Sequence, residues 1–199
     1  MGEQYAVRYA ARFRDQVAAG SDVHGEAAFV HGLVAGPSRI LDAGCGTGRV
    51  GVRLAELGHA VIGVDSDPAM VEQARVEAPD LEWHVADLAD LALGAEFDVV
   101  VLAGNIVPLL EEGTLTVVGS RLAAHTAPGG LVVCGFGLDA AHLPAGCPVT
   151  PLETFEGAMA AAGLVLRQRL GGWEAAAYSP AEGYVVTVHQ RTTGTEGER

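Results

Sequence analysis

The chain contains no lysine, so its twelve cationic side chains are all arginines. The phosphate-binding loop of nucleotide hydrolases ends in Gly-Lys-Ser/Thr, and the absence of lysine excludes that loop. The arginines are opposed by 25 acids, which gives a formal net charge of −13. A protein of this charge repels nucleic-acid backbones, and no arginine cluster offsets it. We therefore expect no DNA or RNA substrate.

Cysteines and long apolar runs are also scarce. Cys45, Cys134 and Cys147 form an odd set without metal-ligand spacing, which fits a reducing cytoplasm. The seven histidines show no metal-binding pattern either, so we predict no metal site. No apolar run approaches the roughly 20 residues that span a bilayer, and the polar N-terminus lacks a signal-peptide core. We expect a cytoplasmic protein without membrane contact, and the arginine-only composition is typical of a GC-rich bacterial genome.

The remaining composition indicates a folded domain. The chain has 199 residues, of which 49% are hydrophobic and 19% charged, enough for one domain with a sizeable core. At the N-terminus, residues 4–19 predict an amphipathic helix with aromatic side chains at every fourth position. Ser21 or Asp22 is expected to cap a second helix that runs to about Val34.

The most informative stretch is a short apolar run, residues 40–43, that leads into Gly44, Gly46 and Gly48. The run predicts a buried strand, and glycines allow a sharp turn and a close approach of bare backbone to a ligand. Residues 50–57 then return to apolar side chains at near-helical spacing. A strand, a glycine turn and a helix in this order indicate a nucleotide site in an α/β sheet.

The glycine spacing narrows the type of nucleotide. The dinucleotide fingerprint needs glycines at relative positions 1, 3 and 6. Counted from Gly44, the sixth position is Arg49, so the fingerprint fails there. Asp42 stands just before the loop and would repel a pyrophosphate, whereas a ligand with an ammonium or sulfonium charge would be stabilised.

The segment Leu41-Asp-Ala-Gly-Cys-Gly-Thr-Gly48 resembles the first motif of the class I S-adenosylmethionine (SAM)-dependent methyltransferases. The resemblance continues through later segments in the expected order, over roughly residues 39 to 136. Ala60–Asp65 resembles the second strand, Trp83–Leu88 the third and Phe97–Asn105 the fourth, and Ala127–Gly130 resembles the turn into the fifth.

The resemblance implies an α/β fold: a Rossmann-like, doubly wound sheet of seven strands, mostly parallel with one antiparallel strand, with helices on both faces. The β-rich residues 165–170 and 184–190 would be its closing strands. We expect a single methyltransferase domain over residues 1–190, with an N-terminal helical lid (1–35) and a SAM-binding core (39–190). Residues 191–199 carry no apolar side chain and are expected to form a flexible tail.

The resemblance implies cofactor contacts for two acidic residues, and the first of them is expected at the ribose. An acid about 20 residues after the first glycine binds ribose hydroxyls, and Asp65 follows Gly44 by 21 residues. Its alternative role, a helix cap, is better filled by Asp67, which precedes Pro68.

The acid after the third strand faces the adenine amino group in this family. Asp87 holds that position, with Asp90 as a nearby rival. Asp42 either binds the amino group of the methionine moiety or only orders the glycine loop. The cofactor-binding residues that the resemblance implies are Asp42, Gly44, Cys45, Gly46, Gly48, Asp65, Ser66, Met70, Asp87, Leu88, Ala103, Gly104 and Asn105.

The acceptor side carries weaker signals. Tyr9 and Phe13 either close over the site from the lid helix or pack that helix on the core. Trp173 either walls the acceptor pocket or covers the sheet edge. His142, in the long loop after the fifth strand, is either a general base or a solvated side chain.

These observations predict methyl transfer from SAM, with S-adenosylhomocysteine (SAH) as product, to an oxygen, nitrogen or carbon nucleophile of a small molecule. In-line displacement needs no catalytic base, because the donor is already activated. The alternative is a non-catalytic SAM-binding regulator, in which residues 136–150 would fill the acceptor space. A nicotinamide-dependent reductase is disfavoured by Arg49 and Asp42. Either a monomer or a homodimer is compatible with the sequence.

Overall fold

The computed structural model describes residues 2–20 and 22–193. Short 3₁₀ helices occur at Leu88–Asp90 and Pro180–Glu182. The helices are α1 (Glu3–Ala18), α2 (Gly25–Gly32), α3 (Arg49–Glu56), α4 (Pro68–Glu77), α5 (Ile106–Leu109), α6 (Leu115–His125) and α7 (Leu152–Ala161). The strands are β1 (Arg39–Ala43), β2 (Ala60–Asp65), β3 (Glu82–Val85), β4 (Phe97–Leu102), β5 (Thr126–Gly137), β6 (Leu164–Leu170) and β7 (Tyr184–Arg191).

The seven strands form one sheet in the order β3-β2-β1-β4-β5-β7-β6. Strands β1 to β5 pair in parallel, and β7 runs antiparallel to both of its neighbours, β5 and β6. The predicted α/β fold, with a mostly parallel sheet and one antiparallel strand, is therefore confirmed.

Helices cover both faces of the sheet, as β1 illustrates. Ile40 packs with residues of α2 and α3, and its neighbour Leu41 packs with residues of α5, α6 and α7. Both side chains are fully buried. Strands that are buried on both faces read as continuous apolar runs, which explains why the pattern at residues 40–43 does not alternate. No helix within the described residues combines the length and the apolar character needed to cross a membrane.

The direction of chain progression reverses between β1 and β4. From β1 the chain proceeds through β2 to β3 on one side, and β4 and β5 continue on the other. At such a reversal the connections after the two central strands diverge, which opens a crevice at the carboxyl ends of the strands. The glycine loop follows β1, and Ala103 and Gly104 follow β4, so both segments border this crevice.

Two helices begin later than the sequence predicts. Helix α2 begins at Gly25, and the carboxylate of Asp22 accepts a hydrogen bond of 2.8 Å from the backbone nitrogen of His24, before the helix. The alternative cap, Ser21, lies outside the described residues. The sequence also predicts a helix over residues 111–125, but α6 begins at Leu115, and the short α5 has no signal in the sequence.

The turn predicted at Ala127–Gly130 lies inside β5. Thr126 pairs with Phe97 of β4 and Leu131 pairs with Val99, so residues 127–130 bulge opposite Asp98. This bulge keeps the strand continuous where a Pro-Gly-Gly sequence suggests a break. At the other end of the chain, Arg191 closes β7 instead of opening the tail, and residues 194–199 lie outside the described residues.

Candidate active site

The glycine loop between β1 and α3 is fastened to the end of β2. The backbone nitrogens of Gly44 and Cys45 both donate to the carbonyl oxygen of Val64, at 2.7 and 2.9 Å. Gly44, Gly46 and Gly48 have φ values of +84°, +54° and +84°, which glycine adopts without the steric penalty that a Cβ brings. The loop conformation therefore depends on all three predicted glycines.

The space around each glycine differs. A Cβ on Gly44 would lie 2.6 Å from the side chain of Ile106, and one on Gly48 would lie 2.8 Å from Trp83. A Cβ on Gly46 would meet no protein atom within 4 Å. Gly44 and Gly48 are thus packed against the protein, and Gly46 presents its backbone to open space.

Asp65, at the end of β2, ties two backbone segments together. Its Oδ2 atom accepts a hydrogen bond of 2.8 Å from the nitrogen of Gly46, and its Oδ1 atom accepts one of 2.9 Å from the nitrogen of Asp67. Helix α4 is capped by Asp67, whose side chain accepts from the nitrogen of Ala69. Because an ionised carboxylate has about four acceptor positions, Asp65 retains capacity for two ligand hydroxyls.

Asp42 is buried beneath the loop, with 2% of its surface exposed. Its Oδ2 atom accepts a hydrogen bond of 2.8 Å from the nitrogen of Gly51, in the first turn of α3. Burial raises the pKa of Asp42 to about 7, against the opposing effects of the Gly51 hydrogen bond and the charge of Arg49. This contact matches the loop-ordering alternative, and Asp42 also lines the cavity described next.

A cavity of about 350 Å³ opens at the carboxyl ends of β1 to β4. All of the predicted cofactor-binding residues line it except Gly48 and Asn105. Those that line it are Asp42, Gly44, Cys45, Gly46, Asp65, Ser66, Met70, Asp87, Leu88, Ala103 and Gly104. The carboxylate of Asp87 accepts a hydrogen bond of 2.8 Å from the nitrogen of Ala89 and caps the following 3₁₀ helix. Asp90 is not among the residues that line the cavity.

Cys45 behaves as a packing residue. It is buried with Val71, Ala74 and Trp83, and burial raises the pKa of its thiol well above the ordinary value. Because the thiolate is the nucleophile, a thiol that stays protonated is unreactive.

Asn105 does not line the cavity, and its side chain joins two strand ends. Its φ of +66° turns the chain after β4. Its Oδ1 atom accepts a hydrogen bond of 2.7 Å from the nitrogen of Gly137, at the end of β5. Its Nδ2 atom donates to the carbonyl oxygen of His142 at 3.2 Å. In this structure Asn105 thus positions the loop after β5.

The two aromatic residues predicted from α1 face different spaces. Tyr9 lines the cavity, whereas Phe13 lines a second cavity of about 370 Å³ between α1 and α3. Their rings are in edge contact, with centroids 5.1 Å apart. Burial raises the pKa of the Tyr9 hydroxyl, so it remains protonated at neutral pH.

Trp173 and His142 do not line either of these cavities. The indole nitrogen of Trp173 donates to the hydroxyl of Tyr184 at 3.1 Å, and its ring fills the space beside Gly135. The side chain of His142 is exposed, and its Nδ1 atom lies 2.8 Å from Asp139. Trp173 therefore packs on the interior strand β5, not at the sheet edge and not in the cavity, and His142 matches the alternative of a solvated loop residue.

Several residues that line the cavity were not predicted from the sequence. They come from α1, the segment that includes and follows α5, and the loop after β5, and they include Tyr5, Ile106, Leu109, Leu110, Glu111 and Pro144. Their positions depend on how separate elements pack, so no local pattern marks them. For those that follow β4 and β5, the usable signal was their location after a strand end, where a ligand crevice forms.

Arg49 also lines the cavity, and its side chain contacts several other segments of the chain. Its guanidinium forms two hydrogen bonds with the carboxylate of Glu26, at 2.5 and 2.9 Å, and it also donates to the carbonyl oxygen of Val23. It lies 4.7 Å from the ring centroid of Phe13. Arg49 therefore joins the glycine loop to α1 and α2, and its charge is balanced by Glu26.

Comparison with known proteins identifies the family. Residues 40–130 match the family model described as a methyltransferase domain. The chain is 30% identical to a TehB-like SAM-dependent methyltransferase from Corynebacterium glutamicum, and the match covers 96% of this chain and 100% of that one with a TM-score of 0.86.

Two curated relatives match over shorter segments. A magnesium-protoporphyrin O-methyltransferase from Rhodobacter capsulatus is 40% identical over 74 residues, which is 35% of this chain and 33% of that protein. A dTDP-4-amino-2,3,4,6-tetradeoxy-D-glucose N,N-dimethyltransferase from Saccharopolyspora spinosa is 31% identical over 130 residues, 65% of this chain and 51% of that protein. The chain thus matches between a third and a half of the length of these relatives. It belongs to the class I SAM-dependent methyltransferases, and its cofactor is S-adenosylmethionine.

Proposed function

We propose that the protein transfers a methyl group from SAM to a small-molecule acceptor and that both bind in the cavity at the carboxyl ends of β1 to β4. One observation carries the proposal. The same cavity is lined by the predicted cofactor residues and by Tyr5, Tyr9, Leu109 and Pro144, which come from elements outside the cofactor motifs and which we take as the acceptor wall. A cavity that only held the cofactor would not need this second wall.

The residues that line the cavity fit the chemistry of SAM. Asp65 would accept hydrogen bonds from the ribose hydroxyls, and Asp87 from the adenine amino group. Met70 and Leu88 supply buried apolar surface for a planar base. Near the glycine loop, the carboxyl of Asp42 would balance the ammonium charge of the methionine moiety.

The protein's own contribution to the reaction is to position the methyl donor and the acceptor. When bound, the sulfonium of SAM supplies an already activated methyl group. The glycine loop, the end of β4 and α1 hold donor and acceptor in line, and good orientation can supply up to about 7–11 kcal/mol of the barrier. Tyr9 and the apolar residues around it exclude water, which strengthens the electrostatic interactions in the cavity.

The acceptor is a small molecule in this proposal. The net charge of −13 opposes nucleic-acid binding, and the acceptor wall belongs to the same cavity as the cofactor residues. The two curated relatives are named as an O-methyltransferase and an N,N-dimethyltransferase, so the relatives leave the nucleophilic atom open.

A non-catalytic SAM-binding role is less well supported. It would require residues 136–150 to fill the acceptor space. Of that segment, Pro144 is the residue that lines the cavity within the described part of the chain. The space beside the cofactor residues therefore stays open, which favours the enzyme.

The first experiment is calorimetric titration of the protein with SAM and with SAH. We expect micromolar binding that Asp65→Ala abolishes and Asp87→Ala weakens. Asp90→Ala is the matched control, since Asp90 is an acid of the same 3₁₀ segment that does not line the cavity.

A second experiment tests turnover. The protein is incubated with methyl-labelled SAM and a cell extract that has been separated into small solutes, nucleic acid and protein. We expect label in the small-solute fraction. Label in another fraction, or none with a protein that binds SAM, would contradict the proposed acceptor class.

A further inference from the structure

We infer that the methyl acceptor is an amine that enters as a cation and that Glu111 selects it; the inference rests on the proposed function. Glu111 follows α5 and lines the same cavity as the predicted cofactor residues. It shares the acceptor wall with Leu109, Leu110 and Pro144. The argument depends on the charges of this cavity and on which of them already have partners.

The cavity carries an excess of negative charge. The carboxylates that line it belong to Asp42, Asp65, Asp67, Asp87 and Glu111. Within the described residues, Arg49 is the single cationic side chain among them, and its guanidinium already forms two hydrogen bonds with Glu26. An anionic acceptor would find no unpaired cation among the described residues that line the cavity, whereas a cationic acceptor is attracted by the field of its carboxylates.

Glu111 differs from the other carboxylates because its side chain has no partner among the described residues. The carboxylates of Asp42, Asp65 and Asp87 accept hydrogen bonds from the backbone of the loops that they order. Within the described residues, nothing donates to the side-chain carboxylate of Glu111, and it forms no ion pair. A carboxylate of this kind in the acceptor wall is available to a ligand.

The neighbouring aromatic surface suits the same ligand. The rings of Tyr5 and Tyr9 are stacked with centroids 6.0 Å apart, and both residues line the cavity. The guanidinium of Arg12 lies 5.9 Å from the centroid of Tyr9, so this ring already has a cationic neighbour. Tyr5 is 40% exposed and offers a further ring to an ammonium group, an arrangement that is favourable by cation–π attraction. Leu109, which is 54% exposed, offers apolar surface to the rest of the molecule.

The reaction balances without a further reagent. The ammonium loses one proton to water at the cavity mouth, where Glu111 is exposed. The freed nitrogen lone pair forms the new N–C bond, the C–S bond breaks, and its electron pair stays on the sulfur. The product is an N-methylated ammonium and a neutral thioether. Glu111 acts here as a specificity-determining residue that holds the charged group.

The test uses three probes of similar shape and different charge: phenethylamine (cationic), 2-phenylethanol (neutral) and 3-phenylpropionate (anionic). Each is added to the full chain saturated with SAH, and binding is measured by ligand-observed NMR. We expect the amine to bind tightest, by about fivefold over the alcohol, as for an exposed ion pair. Glu111→Gln removes this preference. Glu112→Gln is the matched control, because Glu112 is the adjacent exposed acid and does not line the cavity.

The outcomes separate this inference from the proposed function. Failure of the chain to bind SAH contradicts the proposed function before any probe is added. If SAH binds, the inference is overturned by equal binding of the probes, by tighter binding of the alcohol or the carboxylate, or by absence of amine binding. An amine preference that survives in Glu111→Gln overturns the role of Glu111.

Discussion

The Oδ2 atom of Asp65 accepts a hydrogen bond of 2.8 Å from the backbone nitrogen of Gly46. The acid at the end of β2 thus holds the loop at the end of β1, in addition to the ribose contact proposed for it. Both functions use the same carboxylate, so a loss of binding in a variant does not by itself separate them.

We predict that Asp65→Ala destabilises the protein even without cofactor. The nitrogens of Gly46 and Asp67 lose their acceptor, which is expected to cost about 1–3 kcal/mol. Urea unfolding and amide hydrogen exchange at Gly46 measure the effect. Asp98→Ala is the control, since Asp98 accepts from the nitrogen of Arg39 at 2.8 Å away from the cavity. It should lose stability without losing SAH affinity, and reduced SAH affinity in this variant would contradict the assignment.

Gly44 and Gly46 should respond differently to replacement by alanine. Gly44→Ala combines a φ of +84° with a contact of 2.6 Å to Ile106, so we expect poor folding. Gly46→Ala meets no protein atom and bears the cost of its positive φ, about 1–2 kcal/mol. Its methyl group would extend into open space at the proposed cofactor site, so SAH affinity should fall.

Gly58→Ala provides the comparison for Gly46→Ala. Gly58 has a φ of +93°, meets nothing within 4 Å and does not line the cavity. We expect a similar loss of stability, measured by thermal unfolding, with unchanged SAH affinity. If Gly46→Ala bound SAH as tightly as Gly58→Ala, the glycine loop would not approach the cofactor.

We predict that the buried carboxyl of Asp42 gives the free energy of unfolding of the cofactor-free protein an unusual pH dependence. Burial raises the folded-state pKa of Asp42 to about 7 from its ordinary value of 3.8, so the folded state binds the proton more tightly than the unfolded state does. The contribution of Asp42 to stability is then largest below about pH 4, falls as the pH rises from there to about 7, and stays constant above that. Between pH 5 and pH 8 we expect a loss of roughly 2–3 kcal/mol relative to Asp42→Asn.

The Asp42→Asn variant isolates this effect, because all other titrating groups are common to both proteins. Its side-chain oxygen still accepts from Gly51. Urea unfolding of both proteins at pH 5, 6, 7 and 8 measures the difference. A constant difference across this range would show that Asp42 is already ionised at pH 5.

Two buried histidines should give opposite results when replaced by leucine. His189 is 1% exposed, and neither ring nitrogen has a hydrogen-bond partner among the described residues. His125 is also buried, but its ring bonds to the carbonyl of Arg121 at 2.7 Å and to the nitrogen of Leu93 at 3.0 Å. We predict that His189→Leu stabilises the protein by about 1–2 kcal/mol and that His125→Leu destabilises it.

The stabilisation produced by His189→Leu should increase as the pH falls. Burial lowers the pKa of His189 to about 4. Between pH 6.5 and about 4 its imidazole therefore binds a proton in the unfolded state but not in the folded state. The contribution of His189 to stability therefore falls from pH 6.5 down to about 4, and the leucine variant avoids that loss. Thermal unfolding at pH 5 and pH 7 tests this, and an equal gain at both values would contradict it.

The sequence predicts those parts of the molecule whose cause is local. The run before Gly44 forms β1, Asp67 and Pro68 begin α4, and the fold class follows from the order of such segments. The acid at Asp65 could be found because its spacing from the glycines is set by one strand–helix–strand unit.

Contacts between distant segments could not be predicted in this way. Arg49 and Glu26 are 23 residues apart, and no periodicity joins them. Trp173 fits beside Gly135 because that position of β5 has no side chain, which is visible only once the strand register is known. Glu111 lines the cavity because the short helix α5 changes the direction of the chain just before it. Four residues are too few to show a helical repeat of apolar side chains, so the sequence does not predict α5.

Asn105 has a consequence for how this enzyme can diverge. Its side chain forms hydrogen bonds with the backbone of Gly137 and His142, so the turn after β4 helps to fix the start of the loop after β5 through main-chain atoms of that loop. The side chains from 139 to 150 take no part in that anchorage through Asn105. Under the proposed function, changes to the side chains of this loop can alter the choice of acceptor while Asn105, in the turn after β4, still holds the start of the loop.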